Sequence, residues 1–249
     1  MIRIGHAFGH AQATLPWAQL TGTLALLVDG ALVKNWIEQA AQGTYRGWRV
    51  LYHFADLDDR FDEVSPVLIN VRPEDRLFRH WQQDPVWRQA TLLIHYHCRF
   101  EELTEHLCSL LWMRQGKEQL LMRFYSPAIL DAWAPSLTDR EADALLGPAE
   151  CWAWLSDSDS GSESTSEDDP HTTAQVTRER ASWLAHKPGQ AGQGTAWFSL
   201  SDAQIAALDQ HDQAQMPAPA DDAAAARTQY IDYWLGYDVP APDGLLTDE

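Results

Sequence analysis

Residue types that could do chemistry come closest together at His95-Tyr96-His97-Cys98. On a β-strand, side-chain alternation puts His95 and His97 on one face, within reach of a single metal ion. Zinc needs three or four ligands with supporting carboxylates, and neither an HExxH run nor a cysteine pair accompanies the two histidines. The spacing therefore predicts no metal and no cofactor. The segment reads as a strand end leading into the next helix.

The three cysteines, Cys98, Cys108 and Cys151, form no CxxC pair. That argues against a zinc knuckle or a disulfide framework and fits a reducing compartment. Cys108 sits between Leu107 and Ser109 in a helical stretch, where a thiol is usually packing. No GxSxG elbow and no Gly-rich phosphate loop is present. Paired carboxylates such as Asp58-Asp59 and Asp62-Glu63 are expected by chance in a chain with 36 acidic and 18 basic residues. Read from its chemistry, the chain is not an enzyme.

The formal charge of -18 over 249 residues bears on partners as well. It repels phosphate backbones, and the basic residues are scattered singly, so nucleic acid is not an expected partner. Acidic membranes are disfavoured for the same reason. No run approaches the ~20 apolar residues that span a bilayer. The first apolar run, Leu24 to Val28, ends in Asp29-Gly30 rather than a signal-peptide cleavage site. A soluble, cytoplasmic protein is expected.

Elements that could position these residues follow from periodicity. Thr23–Val28, Trp48–Phe54, Pro66–Val71, Thr91–Tyr96, Leu120–Tyr125 and Glu150–Leu155 read as strands. Helical spacing recurs from Val33 to Ala41, from Glu74 to Gln83, from Phe100 to Leu111, and in two short pieces between Ala128 and Leu146 split by Pro135. Alternation of this kind predicts an α/β fold, with a mixed, partly parallel sheet flanked by helices in an N-terminal lobe of residues 1–155. Residues 156–194 read as an acidic, Ser-rich flexible insert or linker, because 156–169 contain no apolar residue. Residues 195–249 read as a smaller, mostly helical lobe with a frayed tail. Within it, Thr195–Leu200 could pair with Glu150–Leu155, and Ser201 is placed to cap a helix from Ala203 to Gln213. Tyr230, Tyr233, Trp234 and Tyr237 lie at i, i+3, i+4 and i+7 of a last helix, a pattern that serves core packing or a partner surface.

One ordered series of segments carries a resemblance. It comprises Val28-Asp29-Gly30-Ala31, Ser65-Pro66-Val67-Leu68-Ile69, the helix Glu101–Leu107, Met122-Arg123-Phe124-Tyr125-Ser126-Pro127-Ala128-Ile129-Leu130 and Leu146-Gly147-Pro148, with an echo at Phe198–Gln204. The series resembles the adaptor or effector-chaperone family of bacterial type VI secretion systems. It departs from the family's pattern at Ser126 and Ala128, where the family carries Asp and Arg. The resemblance implies a cytoplasmic protein that binds a toxic effector and helps load it onto a VgrG-type spike, with effector and spike as its partners. In that reading Asp29, Arg123, Tyr125 and Pro127 are structural, Arg123 pairing with a strand-end carboxylate such as Asp29. Tyr230, Tyr233, Trp234 and Tyr237 are then the candidate partner surface. Two other readings stay open: an acidic immunity-type inhibitor of a toxin, for which the charge is suited, and a small metal-dependent hydrolase using His95, His97 and a cysteine.

Overall fold

In the computed structural model, which describes residues 3–8, 23–43, 47–55, 57, 59–157, 179–185 and 197–215, the apolar runs form strands and most amphipathic stretches between them form helices. Strand β1 (Arg3–Phe8) is followed by β2 (Thr23–Asp29), α1 (Trp36–Gly43), β3 (Trp48–Val50), α2 (Leu51–Phe54) and β4 (Pro66–Val71). Next come α3 (Arg76–Gln83), α4 (Pro85–Gln89), β5 (Thr91–Tyr96), α5 (Phe100–Leu110), β6 (Trp112–Gln115) and β7 (Glu118–Leu121). Helices α6 (Pro127–Trp133) and α7 (Asp139–Leu146), strands β8 (Ala149–Asp157) and β9 (Glu179–Ala185), and helix α8 (Asp202–Gln215) follow. Among the described residues no helix is long and apolar enough to cross a membrane.

The main sheet has seven strands in the order β1-β9-β8-β5-β2-β4-β3, and every neighbouring pair is antiparallel. This corrects the expected mixed, partly parallel sheet. Strands β4 and β5 do run in the same direction and are joined through α3 and α4, as strand–helix alternation suggested. But β2 lies between them and is antiparallel to both, so the two never share a hydrogen bond. Continuous apolar strands usually mark a parallel sheet because helices cover both its faces. Here an antiparallel sheet is covered on both faces and acquires the same sequence signature. Leu24, Leu26 and Val28 of β2 pack with Trp36 of α1, Phe78 and Trp81 of α3 and Trp87 of α4. Ala25 and Leu27 face the opposite core, with Leu103 and Leu107 of α5, Leu130 and Trp133 of α6 and Leu145 of α7.

Local chemistry sets several boundaries. Asp84 ends α3 and caps α4, its Oδ1 accepting from the backbone N–H of Val86 and Trp87 at 2.9 and 3.2 Å. Pro85 follows at the first helical position. Thr138 and Glu141 form a reciprocal capping box at the start of α7. Helix α6 is tied to the sheet through Asp131 Oδ1, which accepts from Trp154 Nε1 of β8 and Ser182 Oγ of β9, both at 3.2 Å.

Three local expectations change. Trp48–Phe54 is a strand only to Val50; Tyr52 leaves the ladder as α2 begins, and Ser65 Oγ lies 3.0 Å from its backbone N–H. The predicted strand Leu120–Tyr125 ends at Leu121 and is the second arm of a hairpin with β6. Its two-residue turn starts at Gly116, whose φ of +61° suits the tight turns that match strand twist. Finally, β8 pairs with Glu179–Ala185, not with Thr195–Leu200. Both segments are short and aromatic (ERASWLA and TAWFSL), so periodicity could not choose between them.

In the described part of the second segment, Phe198–Leu200 lies beside β6 instead. Arg114 N donates to Phe198 O at 2.9 Å, and Leu200 N donates to Arg114 O at 2.8 Å. Ser201 then starts α8 as expected, its backbone N–H donating to Gln204 Oε1 at 2.9 Å. Phe198, Leu200 and Leu208 join the same core as Leu130 and Trp133, so this part of the C-terminal region packs on the first lobe.

Candidate functional site

The motif segments meet at the end of β2. Asp29 is the last residue of that strand and is fully buried. Its Oδ1 accepts from Ala31 N at 3.1 Å, and its carbonyl accepts from Leu32 and Val33 N–H as the chain turns. Its other carboxylate oxygen accepts from Arg123 Nη2 at 2.5 Å. Arg123 follows β7 after Met122, whose N–H donates to Leu111 O at 2.8 Å. Two further backbone bonds carry the chain from Arg123 into α6: Ser126 N donates to Arg123 O, and Leu130 N donates to Ser126 O. Pro127 takes the first turn of that helix, where its missing N–H costs nothing. The anticipated Arg123–Asp29 pair is present.

A second pair stands beside the first. The Tyr125 hydroxyl lies 2.7 Å from the hydroxyl of Tyr52, which α2 brings in. Sequence reading missed Tyr52, because a strand through Phe54 would have left its direction undetermined. Burial pushes the ionisation of both tyrosines up, so both stay neutral and share one O–H···O bond. Burial also raises the Asp29 carboxyl above the usual aspartate range, although Arg123 pulls against it. For Arg123 burial acts downward, but the adjacent Asp29 outweighs it and holds the guanidinium charged.

Three of these side chains, Tyr52, Arg123 and Tyr125, line a cleft of about 430 Å³. Tyr52 and Val64 line one part, the hairpin supplies Leu120 and Leu121, and α8 supplies Ile205 and Leu208. The walls are mainly apolar; the charged lining residues are Arg123, which is paired with Asp29, and Asp209 of α8. Such a cleft accepts an apolar side chain; it offers no nucleophile with an adjacent base. The cysteines do not supply one. Burial, with Glu102 nearby, pushes Cys98 up to about 11. Burial also raises Cys108 to about 12, with Glu105 adding to it, and Cys151 to about 12, with Glu150 adding to it.

His95 and His97 lie toward the other end of the sheet, His95 pairing with Leu24 near the start of β2. At ~3.3 Å per residue that is roughly 16 Å along the strand from Asp29. A residue that sequence reading did not connect with them, Glu150 of β8, stands against both rings. Tyr230, Tyr233, Trp234 and Tyr237 lie outside the described residues, as do most of residues 156–194.

Leu146-Gly147-Pro148 also gains a physical meaning. Gly147 ends α7 with φ +55° and ψ -119°, a conformation that side chains rarely adopt. A Cβ there would come within 2.3 Å of the buried His106 ring. His106 Nε2 in turn lies 2.9 Å from Leu145 O.

No curated protein and no solved structure matches the chain. Residues 25–144, which hold Asp29, Tyr52, Arg123, Tyr125 and Pro127, match the family described as Domain of unknown function (DUF4123).

Proposed function

We propose that the protein is a non-catalytic cytoplasmic adaptor that binds a type VI secretion effector and helps load it onto a VgrG-type spike. The observation that carries this reading is the convergence of the resemblance's own motif residues on one apolar cleft. Ala31 of one motif segment and Arg123 and Tyr125 of another, distant in sequence, line that cleft, where Arg123 is paired with Asp29 and Tyr125 with Tyr52. Conserving charge neutrality beneath an apolar opening suits recognition of a protein surface rather than chemistry on a small molecule. One Leu-sized anchor buried there contributes about 1.5–3 kcal/mol, so the remaining affinity must come from a wider contact. The charge of -18 favours a partner with a basic rim.

The same charge supports a second reading, an acidic inhibitor that covers a basic toxin cleft. Co-purification with the protein encoded beside this one, with and without the spike, separates the two. An adaptor forms a ternary complex and leaves toxin activity intact, whereas an inhibitor abolishes activity and does not bridge to the spike. Leu121→Glu and Ile205→Glu, in partly buried cleft walls, should weaken capture by roughly 30-fold if the anchor is a hot spot. Normal capture by both variants, with unchanged circular dichroism, removes the cleft from the contact.

A further inference from the structure

The pairing of β5 with β8 contains an irregularity. Tyr96 pairs with Ala149 and His95 pairs with Cys151, which leaves Glu150 as an extra residue between the two registers. Regular alternation would put Glu150 on the face opposite Cys151 and His95, but a bulge re-aims the extra side chain. The result brings together three potential ligands that sequence spacing does not connect. Glu150 Oε2 lies 3.0 Å from His95 Nδ1 and 3.3 Å from His97 Nε2. The two imidazoles stand 4.9 Å apart at 78°. All three candidate ligand atoms fall within 4.8 Å of one another.

From this geometry we infer that His95, His97 and Glu150 form a binding site for a divalent ion of the zinc class. Metal–ligand bonds of ~2.0–2.1 Å in a tetrahedron place neighbouring ligand atoms about 3.3 Å apart, close to both separations from the carboxylate. Two imidazoles and one carboxylate match the preferences of zinc, which ranks above the hard cations for nitrogen donors. Three protein ligands leave a fourth position open. The site also has a built and an accessible side: the His95 side chain is 3% exposed, whereas those of Glu150 and His97 are 34% and 50% exposed. Water or a donor from a partner takes the fourth position from the solvent side. The ion joins two neighbouring strands at their irregular point, so binding holds the β5–β8 seam in register. This inference does not depend on the adaptor reading.

The test uses the tag-free full chain, stripped with a chelator and titrated with Zn²⁺ alone, with Co²⁺ as a spectroscopic probe. One ion per chain is expected, with the visible absorption of tetrahedral Co²⁺ and a rise in melting temperature on Zn²⁺ addition. His97→Ala and Glu150→Gln alter exposed or half-exposed positions and should melt normally in chelator. Each should weaken Zn²⁺ binding by at least about tenfold and abolish the Zn²⁺-dependent rise in melting temperature. Absence of stoichiometric Zn²⁺ binding overturns the proposal. So does binding that survives in both variants, because the ion would then sit on other histidines.

Discussion

Replacing Arg123 with Met removes the cation that faces a fully buried carboxylate. The Asp29 side chain is 0% exposed and that of Arg123 only 12%, so little solvent can substitute for the lost partner. Breaking a buried pair from one side costs about 3–5 kcal/mol, whereas an exposed pair is worth about 0–1. At a urea dependence of about 2–3 kcal/mol per M, the unfolding midpoint should fall by about 1–2.5 M. Asp29→Asn, which keeps an oxygen acceptor for Ala31 N–H but strands the guanidinium, should cost a similar amount. The double variant should lose far less than the sum, since no buried charge remains. Tryptophan fluorescence in urea reads all four proteins. The pH dependence has a definite sign. Burial holds the Asp29 carboxyl above its unfolded value, and without Arg123 it rises further. A raised carboxyl contributes stability that is complete below the unfolded value near 4 and is lost as pH rises through the folded value. The deficit of Arg123→Met should therefore shrink toward pH 4 and grow toward neutrality. Single variants costing under about 1 kcal/mol, or a strictly additive double variant, would refute the argument.

Gly147→Ala should destabilise the protein by about 2–4 kcal/mol, adding a strained backbone to a clash with His106; a melting temperature within 2 °C of the parent, on the order of 1 kcal/mol or less, contradicts this. With its thiol raised to about 11, Cys98 should react with iodoacetamide about a hundredfold more slowly at pH 8 in the folded chain than in urea. Its folded-state rate should climb about tenfold per pH unit toward that value, and fast alkylation at neutral pH would rule out the protonated thiol. Replacing both Tyr233 and Trp234 with Ala should cost about 2–4 kcal/mol of partner binding, read by calorimetry, if the aromatic stripe is a contact surface. Normal binding assigns that stripe to packing.

Local patterns were legible where one periodicity dominated. The run Leu24–Val28, the α5 stripe and the Ser201 cap all formed where the sequence indicates them. The direction of pairing was not, because residues buried on both faces look alike in parallel and antiparallel sheets. The Arg123–Asp29 pair was readable across a long separation because the resemblance singled out both segments; among 36 acidic residues, charge alone would not have chosen Asp29. Tyr52 was hidden by the switch from β3 to α2 within one apolar run. Glu150 was hidden by a single-residue bulge, which no two-residue repeat encodes.

The pairing of β1 with β9 also orders events in time. Arg3–Phe8 finds its partner only at Glu179–Ala185. At about 5–20 residues per second, the first strand waits roughly 10–35 s on the ribosome before residue 185 is even synthesised. Throughout that interval the nascent chain must keep a strand-forming segment from pairing elsewhere. A truncation that deletes β1 would leave β9 as a raw edge, its backbone donors and acceptors open to a neighbouring molecule. With β1 in place the open edge passes from β9 to Arg3–Phe8, so the strand that waits longest for its partner is also the one that ends this side of the sheet.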